Sequence, residues 1–404
     1  VRKLLLGTSA ICVLGAAGPA LAQTSGEPIK LRLGGYLRSA YGDIASQNGA
    51  NGKNRSRDQI KQDNIIRFDG ATKLENGLTV AASVQMRGLN TNTNPNNSPN
   101  NAAGTAGGTD QIKRAYALIR GDFGEFRVGD DDSARRQLAL VAPEAGNLFG
   151  SNTPLISFSN NPVGTNSTMQ TLEGNKRTTK LLYFSPTMGG FSFAVSYSPT
   201  GTKGNLNIDA TAPGNTAQTT GVPGTTMRTM DDLSLAANFD GRVGPFGLEA
   251  YLAGEHATRQ TAVGTTIGKN NPTAIGGGMV FSWGPFKFGG AYDHVLGPTY
   301  PVVLGSGRRN EVFDLGVSVT EGPYALSLAW SRGTYYNLVD GVAPVLHEVV
   351  LSGNYALGPG IALSAAIEYS HYNSHTAAVG GLSPQNFTAN YNGLSLMAGT
   401  DLTF

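Results

Sequence analysis

Period-two alternation of apolar with small or polar residues recurs along most of this 404-residue chain, and it restricts the fold more than any other feature. Leu78, Val80, Ala82, Val84 and Met86 are apolar, while the interleaved Thr79, Ala81, Ser83, Gln85 and Arg87 are small or polar. Phe191, Phe193, Val195 and Tyr197 alternate with Ser192, Ala194, Ser196 and Ser198. Tyr324, Leu326, Leu328 and Trp330 do so with Ala325, Ser327, Ala329 and Ser331, and Ile361, Leu363, Ala365, Ile367 and Tyr369 face away from Ser364, Glu368 and Ser370. Successive β side chains point to opposite faces, so each segment has one oily and one wet face. Both a sandwich and a closed barrel can be built from such strands.

The connections separate the two architectures. Short turns at residues 75–77, 122–124, 186–190, 241–245, 283–285, 321–323 and 357–360 alternate with long polar segments at 44–62, 89–110, 131–176, 199–230, 258–272, 294–310, 334–346 and 372–390. Gly and Asn supply the positive φ of tight turns, and Pro is tolerated there and at a strand's first position. Short turns at one end and long loops at the other are the layout of an outer-membrane barrel, and fifteen connections join sixteen strands. The recurrence Gly244-Pro245-Phe246, Gly284-Pro285-Phe286, Gly322-Pro323-Tyr324 and Gly358-Pro359 has the spacing of propeller blades as well. An aromatic directly after each turn suits an interfacial girdle better. The expected fold is therefore all-β: a sixteen-stranded antiparallel transmembrane β-barrel with both mature termini on the periplasmic side.

Composition agrees. Charged residues are 14% of the chain, against about 25% in soluble domains. Val1-Arg2-Lys3, an apolar stretch over residues 4–18 and Ala20-Leu21-Ala22 have the three regions of a secretory signal, so residues 1–22 are expected to be a signal peptide and residues 23–404 the barrel. Removing that segment takes Arg2, Lys3 and the one cysteine, Cys12; 30 basic residues become 28 against 28 acidic, with no disulfide framework. An even balance argues against a nucleic-acid binder, which needs a clustered basic face. Outside the leader no apolar run reaches the roughly 18 residues of a membrane helix, so a membrane could be crossed only by a closed barrel.

The longest insertion separates Gly121-Asp122-Phe123-Gly124-Glu125-Phe126-Arg127-Val128-Gly129-Asp130 from the strand-like run beginning at Arg177. It carries charges, a short helical pattern at residues 133–141, and then Asn, Ser, Thr and Pro. A loop of this length without its own core is usually functional or disordered. The 121–130 motif, the run from Tyr183 to Pro199 and the terminal Phe404 resemble the general porins of Gram-negative outer membranes. In that family a GxFGxxxxG turn precedes a loop folded into the barrel, so the resemblance implies that residues 131–176 form a pore constriction. It also implies a homotrimer among lipid and lipopolysaccharide, with residues 89–110 as a latch over a neighbour. A C-terminal aromatic, Phe404, looks like the signal read by the barrel assembly machinery. Apolar residues on both parities around 181–184 point to burial against another subunit as well.

With the oily faces outward, Arg32, Arg38, Arg67, Arg87 and Arg127 point into the lumen as a basic wall, joined by either Lys113 or Arg114 because the register of that strand is ambiguous. The infolded loop is expected to set Asp131, Asp132 and Glu144 opposite them, together with Arg135 and Arg136. Charge rings of this kind are how pores choose among ions. The expected function is passive diffusion of ions and small hydrophilic solutes, with a slight anion preference that strengthens as acid protonates carboxylates near pH 4. A sugar- or anion-specific channel and a barrel enzyme are the alternatives. Against an enzyme, His256, His294, His347, His371 and His375 are scattered and read as rim residues; no catalytic set, metal site or cofactor is expected.

Overall fold

The computed structural model describes residues 27–48, 58–87, 112–150, 177–200, 227–261, 271, 273–296, 308–337, 345–373 and 391–404. The leader, the latch segment 89–110, residues 151–176 of the long insertion and His375 lie outside the described residues.

Sixteen strands run in chain order: β1 (Lys30–Asn48), β2 (Asp58–Lys73), β3 (Thr79–Arg87), β4 (Ile112–Gly121), β5 (Gly124–Asp131), β6 (Thr178–Phe184), β7 (Phe191–Thr200), β8 (Met227–Val243), β9 (Phe246–Thr261), β10 (Thr273–Trp283), β11 (Phe286–Val295), β12 (Arg308–Glu321), β13 (Tyr324–Asn337), β14 (Val345–Gly358), β15 (Ile361–Asn373) and β16 (Tyr391–Thr403). One helix, α1 (Ala134–Leu138), follows β5. Each strand pairs antiparallel with its chain neighbours, and β1 pairs with β16 to close the barrel. Closure runs to the last residue: Gly35 N–H donates to the Phe404 carbonyl at 2.9 Å and Phe404 N–H to the Gly35 carbonyl at 3.1 Å.

All seven expected short turns are present between paired strands. Gly244, Gly284 and Gly322 have φ of 61°, 56° and 58°. Each is followed by a proline, whose φ is locked near −65°, and this pair of values suits a type II′ hairpin. Pro245, Pro285 and Pro323 therefore occupy the turn itself, and the strands begin one residue later.

Alternation gives the wall its two faces. Leu252, Leu328, Leu351, Ile367 and Leu396 are exposed outward, while Ala253, Ala329, Val350, Ala366 and Met397 beside them are buried inward. A barrel in water would reverse this; an apolar exterior belongs against lipid. Tyr324 and Tyr355, with ring centroids 5.0 Å apart, lie just above the turns in the girdle position.

Candidate functional site

The inner face of β7 to β16 is built largely from Ala, Ser and Gly, and this leaves room for the chain to lie on it. Residues 131–150 do so. Ala134 N–H donates to Ser196 Oγ on β7 (3.0 Å) and Arg135 N–H to Ser234 Oγ on β8 (2.9 Å). Farther round, Ala142 N–H donates to Asp314 Oδ2 on β12 (3.1 Å), Ala145 N–H to Ser327 Oγ on β13 (2.9 Å), and Asn147 Nδ2 to Asp401 Oδ2 on β16 (2.9 Å). Leu140 packs on Ala236, Tyr251, Ala253 and Ala291, and Leu148 with Phe149 on Ala40, Val350, Ala366 and Met397. A Cβ on Gly399 would sit 2.5 Å from Leu148 Cδ2, and one on Gly316 3.0 Å from the Ala142 Cβ, so glycine at both positions clears the path.

The helix ends earlier than the 133–141 pattern predicts. Ala139 is extended (φ −65°, ψ 143°), and the chain beyond it follows the wall. Burial of Leu140 and the hydrogen bonds to successive strands outweigh local helix propensity, which is weak over so few residues.

The space left open faces β1 to β5, and there the sequence-predicted arginines gather. Arg38 pairs with Asp401 at 3.2 Å and lies 4.0 Å over the Tyr36 ring. Arg67 pairs with Asp69 at 2.8 Å and Arg87 with Asp63 at 3.3 Å. Arg127 contacts Glu125 at 2.5 Å and Asp131 at 2.8 Å between the rings of Tyr116 and Phe184. Arg32 is exposed nearer the turn end, in register with Asp69, and outside this group.

The choice between Lys113 and Arg114 does not arise. Gln85 pairs with Arg114 and Met86 with Ile112, which leaves Lys113 as the extra residue of a β-bulge. A bulge re-aims side chains locally. Arg114 reaches Asp131 and Asp132, and Lys113 stands in the electrostatic neighbourhood of Arg87, Arg114, Arg177 and Asp63. Both cations thus belong to the basic wall.

The acidic side differs more from expectation. Asp131 and Asp132 are buried at the foot of the basic wall and paired with it, so they do not face it across the passage. Asp131 meets Arg114 at 3.4 Å as well as Arg127; Asp132 contacts Arg114, Arg177 at 3.3 Å and Arg136 at 3.6 Å. Burial pushes the Asp132 carboxyl upward, but Arg114, Arg177 and Arg136 together pull harder, and it lies below its ordinary value. Arg135 is turned away from the passage, 1% exposed, against Glu255 at 3.6 Å and in contact with Asp293. Glu144 lies against Gly150: a Cβ there would be 2.1 Å from its carboxyl carbon. Asp131 and Asp132, this close to arginines, are charge partners for packing, a role sequence spacing does not reveal.

Several contributors escape the sequence reading. Arg177 and Lys180 complete the cationic side, Lys180 Nζ donating to the Thr178 carbonyl at 2.9 Å and to the Asp131 carbonyl. Glu255, Asp293 and Asp314 anchor the loop from the far wall. Their inward parity is readable, since each alternates with outward Leu252, Tyr292 or Leu315; their loop partners, the Arg135 guanidinium for Glu255 and Asp293 and the Ala142 N–H for Asp314, are not.

Exposure is unequal across these pairs. The Arg87 side chain is 37% exposed against 5% for Asp63, and Arg114 25% against 4% for Asp132. At these two pairs the cation reaches into the passage and the carboxylate stands behind it; Asp69, beside Arg67, is itself 27% exposed.

A family model described as "Gram-negative porin" matches residues 7–375. No curated protein sequence matches the chain. Among solved structures it is similar to the outer membrane channel DcaP of Acinetobacter baumannii, with TM-score 0.59, 14% identity, and 93% of this chain and 97% of that one covered. It is similar to the anion-selective porin from Comamonas acidovorans, with TM-score 0.53, 16% identity and coverage of 93% and 100%. It is also similar to the trimer form of in-vitro folded OmpT of Vibrio cholerae, with TM-score 0.56, 10% identity and coverage of 94% and 100%.

Proposed function

The chain belongs to the Gram-negative porins, outer-membrane barrels through which small solutes diffuse passively, and we propose that its passage has a weak preference for anions set by the basic wall. The carrying observation is the unequal exposure of three charge pairs: Arg87, Arg114 and Arg136 meet water, while Asp63, Asp131 and Asp132 lie behind them. Sixteen strands leave an aqueous channel after the interior face is lined. Residues 131–150 line that channel on one side, and residues 131–176 as a whole are its constriction loop. A mature chain of 28 basic and 28 acidic residues has no global bias, so local exposure decides.

The preference is weak because water screens it. A unit charge about 8 Å from an ion's path contributes about 0.5 kcal/mol in bulk water, a factor of about 2 in permeability. The reading favours a general pore over a sugar-specific channel or an enzyme. The lumen tyrosines Tyr36 and Tyr116 are stacked under Arg38 and Arg127, and Tyr251 is buried beneath Leu140, so they form no aromatic track. Three copies of the chain assemble as a homotrimer, a trimer form being known for OmpT of Vibrio cholerae; residues 1–22 direct export, and Phe404 serves assembly of the barrel.

The test is the reversal potential in a salt gradient across a planar bilayer. Arg67→Ser with Arg87→Ser should lower the anion-to-cation permeability ratio by about twofold or more. An unchanged reversal potential places both side chains away from the conducting path and defeats the assignment.

A further inference from the structure

Arg38 stands between two carboxylates. In the register of the sheet its cross-strand partner on β16 is Asp401 and its partner on β2 is Asp63. Directly opposed residues have Cβ atoms about 5 Å apart, so both acids are within reach of its guanidinium. Each acid is buried, 4% exposed. Among the described residues Arg38 takes one of them, its Nε meeting Asp401 Oδ1 at 3.2 Å.

Asp63 is engaged by others. The Tyr36 hydroxyl, two residues back on β1 and on the same face, donates to Asp63 Oδ2 at 2.7 Å. Arg87 on β3 is opposite Ile65, hence diagonal to Asp63, and reaches Oδ1 at 3.3 Å. Arg87 Nε stands there at ion-pair distance without a hydrogen bond, so the tyrosine hydroxyl is the better-directed donor of the two. The ring of the same tyrosine lies under Arg38, whose Cζ is 4.0 Å from its centroid. One side chain thus fills an oxygen of Asp63 and supports the guanidinium that reaches Asp401.

Asp401 in turn holds the constriction loop, its Oδ2 accepting Asn147 Nδ2 at 2.9 Å. Asn147, Asp401, Arg38, Tyr36, Asp63 and Arg87 form one chain of contacts from the loop to the basic wall.

We infer that Tyr36 is a positioning residue for ion preference: by engaging Asp63 it keeps Arg38 on Asp401, beside the loop, and leaves a separate carboxylate to each of the two arginines. This rests on the weak anion preference proposed above. Without the hydroxyl, an oxygen of a buried carboxylate loses its hydrogen bond, a penalty relieved by the nearest spare donor. Arg38 is that donor, since a guanidinium carries several N–H groups in a fixed fork. It then lies between two acids, and a cation so flanked gives less field to the passage.

Tyr36→Phe changes no formal charge and keeps the ring, so a purely structural tyrosine gives it no reason to alter selectivity. Read as the reversal potential in a potassium chloride gradient across a planar bilayer, it should lower the chloride-to-potassium permeability ratio by about 1.5-fold, most of the roughly twofold that a unit charge about 8 Å from the path supplies. Asp63→Asn should raise the ratio by about twofold, because Arg87 loses its screening carboxylate. In the Asp63→Asn background Tyr36→Phe should have no further effect, since the acid that competes for Arg38 is gone. A crystal structure of the Tyr36→Phe variant should show the guanidinium turned to Asp63. A Tyr36→Phe ratio equal to that of the unaltered protein, the same fall in both backgrounds, or an unmoved Arg38 overturns the proposal. If Asp63→Asn shifts the ratio and Tyr36→Phe does not, the positioning role alone is lost and the pore reading stands. If neither Asp63→Asn nor the Arg67 and Arg87 replacements shift it, that reading fails and this one with it.

Discussion

Arg135 shows how far a charged side chain in this barrel can be from conduction. It is 1% exposed and lies between Glu255 and Asp293, while its backbone N–H holds Ser234. Removing one partner from a buried ionic group leaves the others uncompensated, a cost of about 3–5 kcal/mol. Arg135→Ala should therefore loosen residues 131–150 from the wall, seen as open-channel current noise and faster proteolysis of the loop, with ion selectivity little changed. A quiet, protease-resistant variant would mean that the backbone anchors suffice. Asp132 sets the acid limit of the same region. Its folded pKa is depressed, so its stabilising contribution is complete above the unfolded value of about 3.9 and is lost as pH falls through the lower folded value. Anion preference and current noise should accordingly rise together only below about pH 4, later than an unpaired loop carboxylate would dictate. A noise transition centred above the ordinary carboxylate value would contradict the pairing.

At the scale of the element, the inner wall and the loop are fitted to each other. Gly399→Val would drive a branched side chain into Leu148 and against the Ser39 carbonyl, 2.4 Å from a Cβ. Overpacking of this kind costs about 1–3 kcal/mol, and the nearest relief is displacement of residues 146–150 toward the water. Single-channel conductance should fall while the fold persists; an unaltered conductance would show that the loop yields sideways. The same fit explains the apolar second parity of β6, which the sequence alone attributes to a neighbouring subunit. Leu182, 1% exposed, and Phe184 pack inward on Ala134, Leu138 and Ala194. Leu181 is the outward member of that strand. The helix of the loop, inside the same protomer, covers the inward one.

At the scale of the whole molecule, the barrel is held by closure and by its oily exterior. Leu328 lies on β13 midway between Tyr324 at the turn end and Arg332 at the loop end, exposed outward. An arginine near the bilayer midplane costs about 2–4 kcal/mol, so Leu328→Arg should lower stability by that amount in denaturant unfolding from lipid vesicles, while Ser327→Arg on the lumen side should perturb the loop contact through Ala145 and not lipid insertion. Similar losses for both would contradict the inside–outside assignment. Amine-independent cross-linking of the intact protein in mild detergent should trap a trimer; recovery of monomer alone would count against assembly.

Alternation, turn residues and the sequence of short and long connections were enough to specify sixteen strands, their antiparallel order and which face meets lipid, because a period of two admits one division into faces and Gly-Pro turns leave little freedom in where strands end. The lumen parity of Arg38, Arg67, Arg87 and Arg127 follows from the same rule. The bulge at Lys113 does not, since it depends on how β3 and β4 come into register. Nor does the fate of Asp131, Asp132 and Arg135, which are long-range partners of Arg114, Glu255 and Asp293. Their positions are decided by where a loop lies on a wall of small residues, and that docking exists only once strands as far apart in the chain as β1 and β16, with Tyr36 opposite Thr403, have closed into one ring.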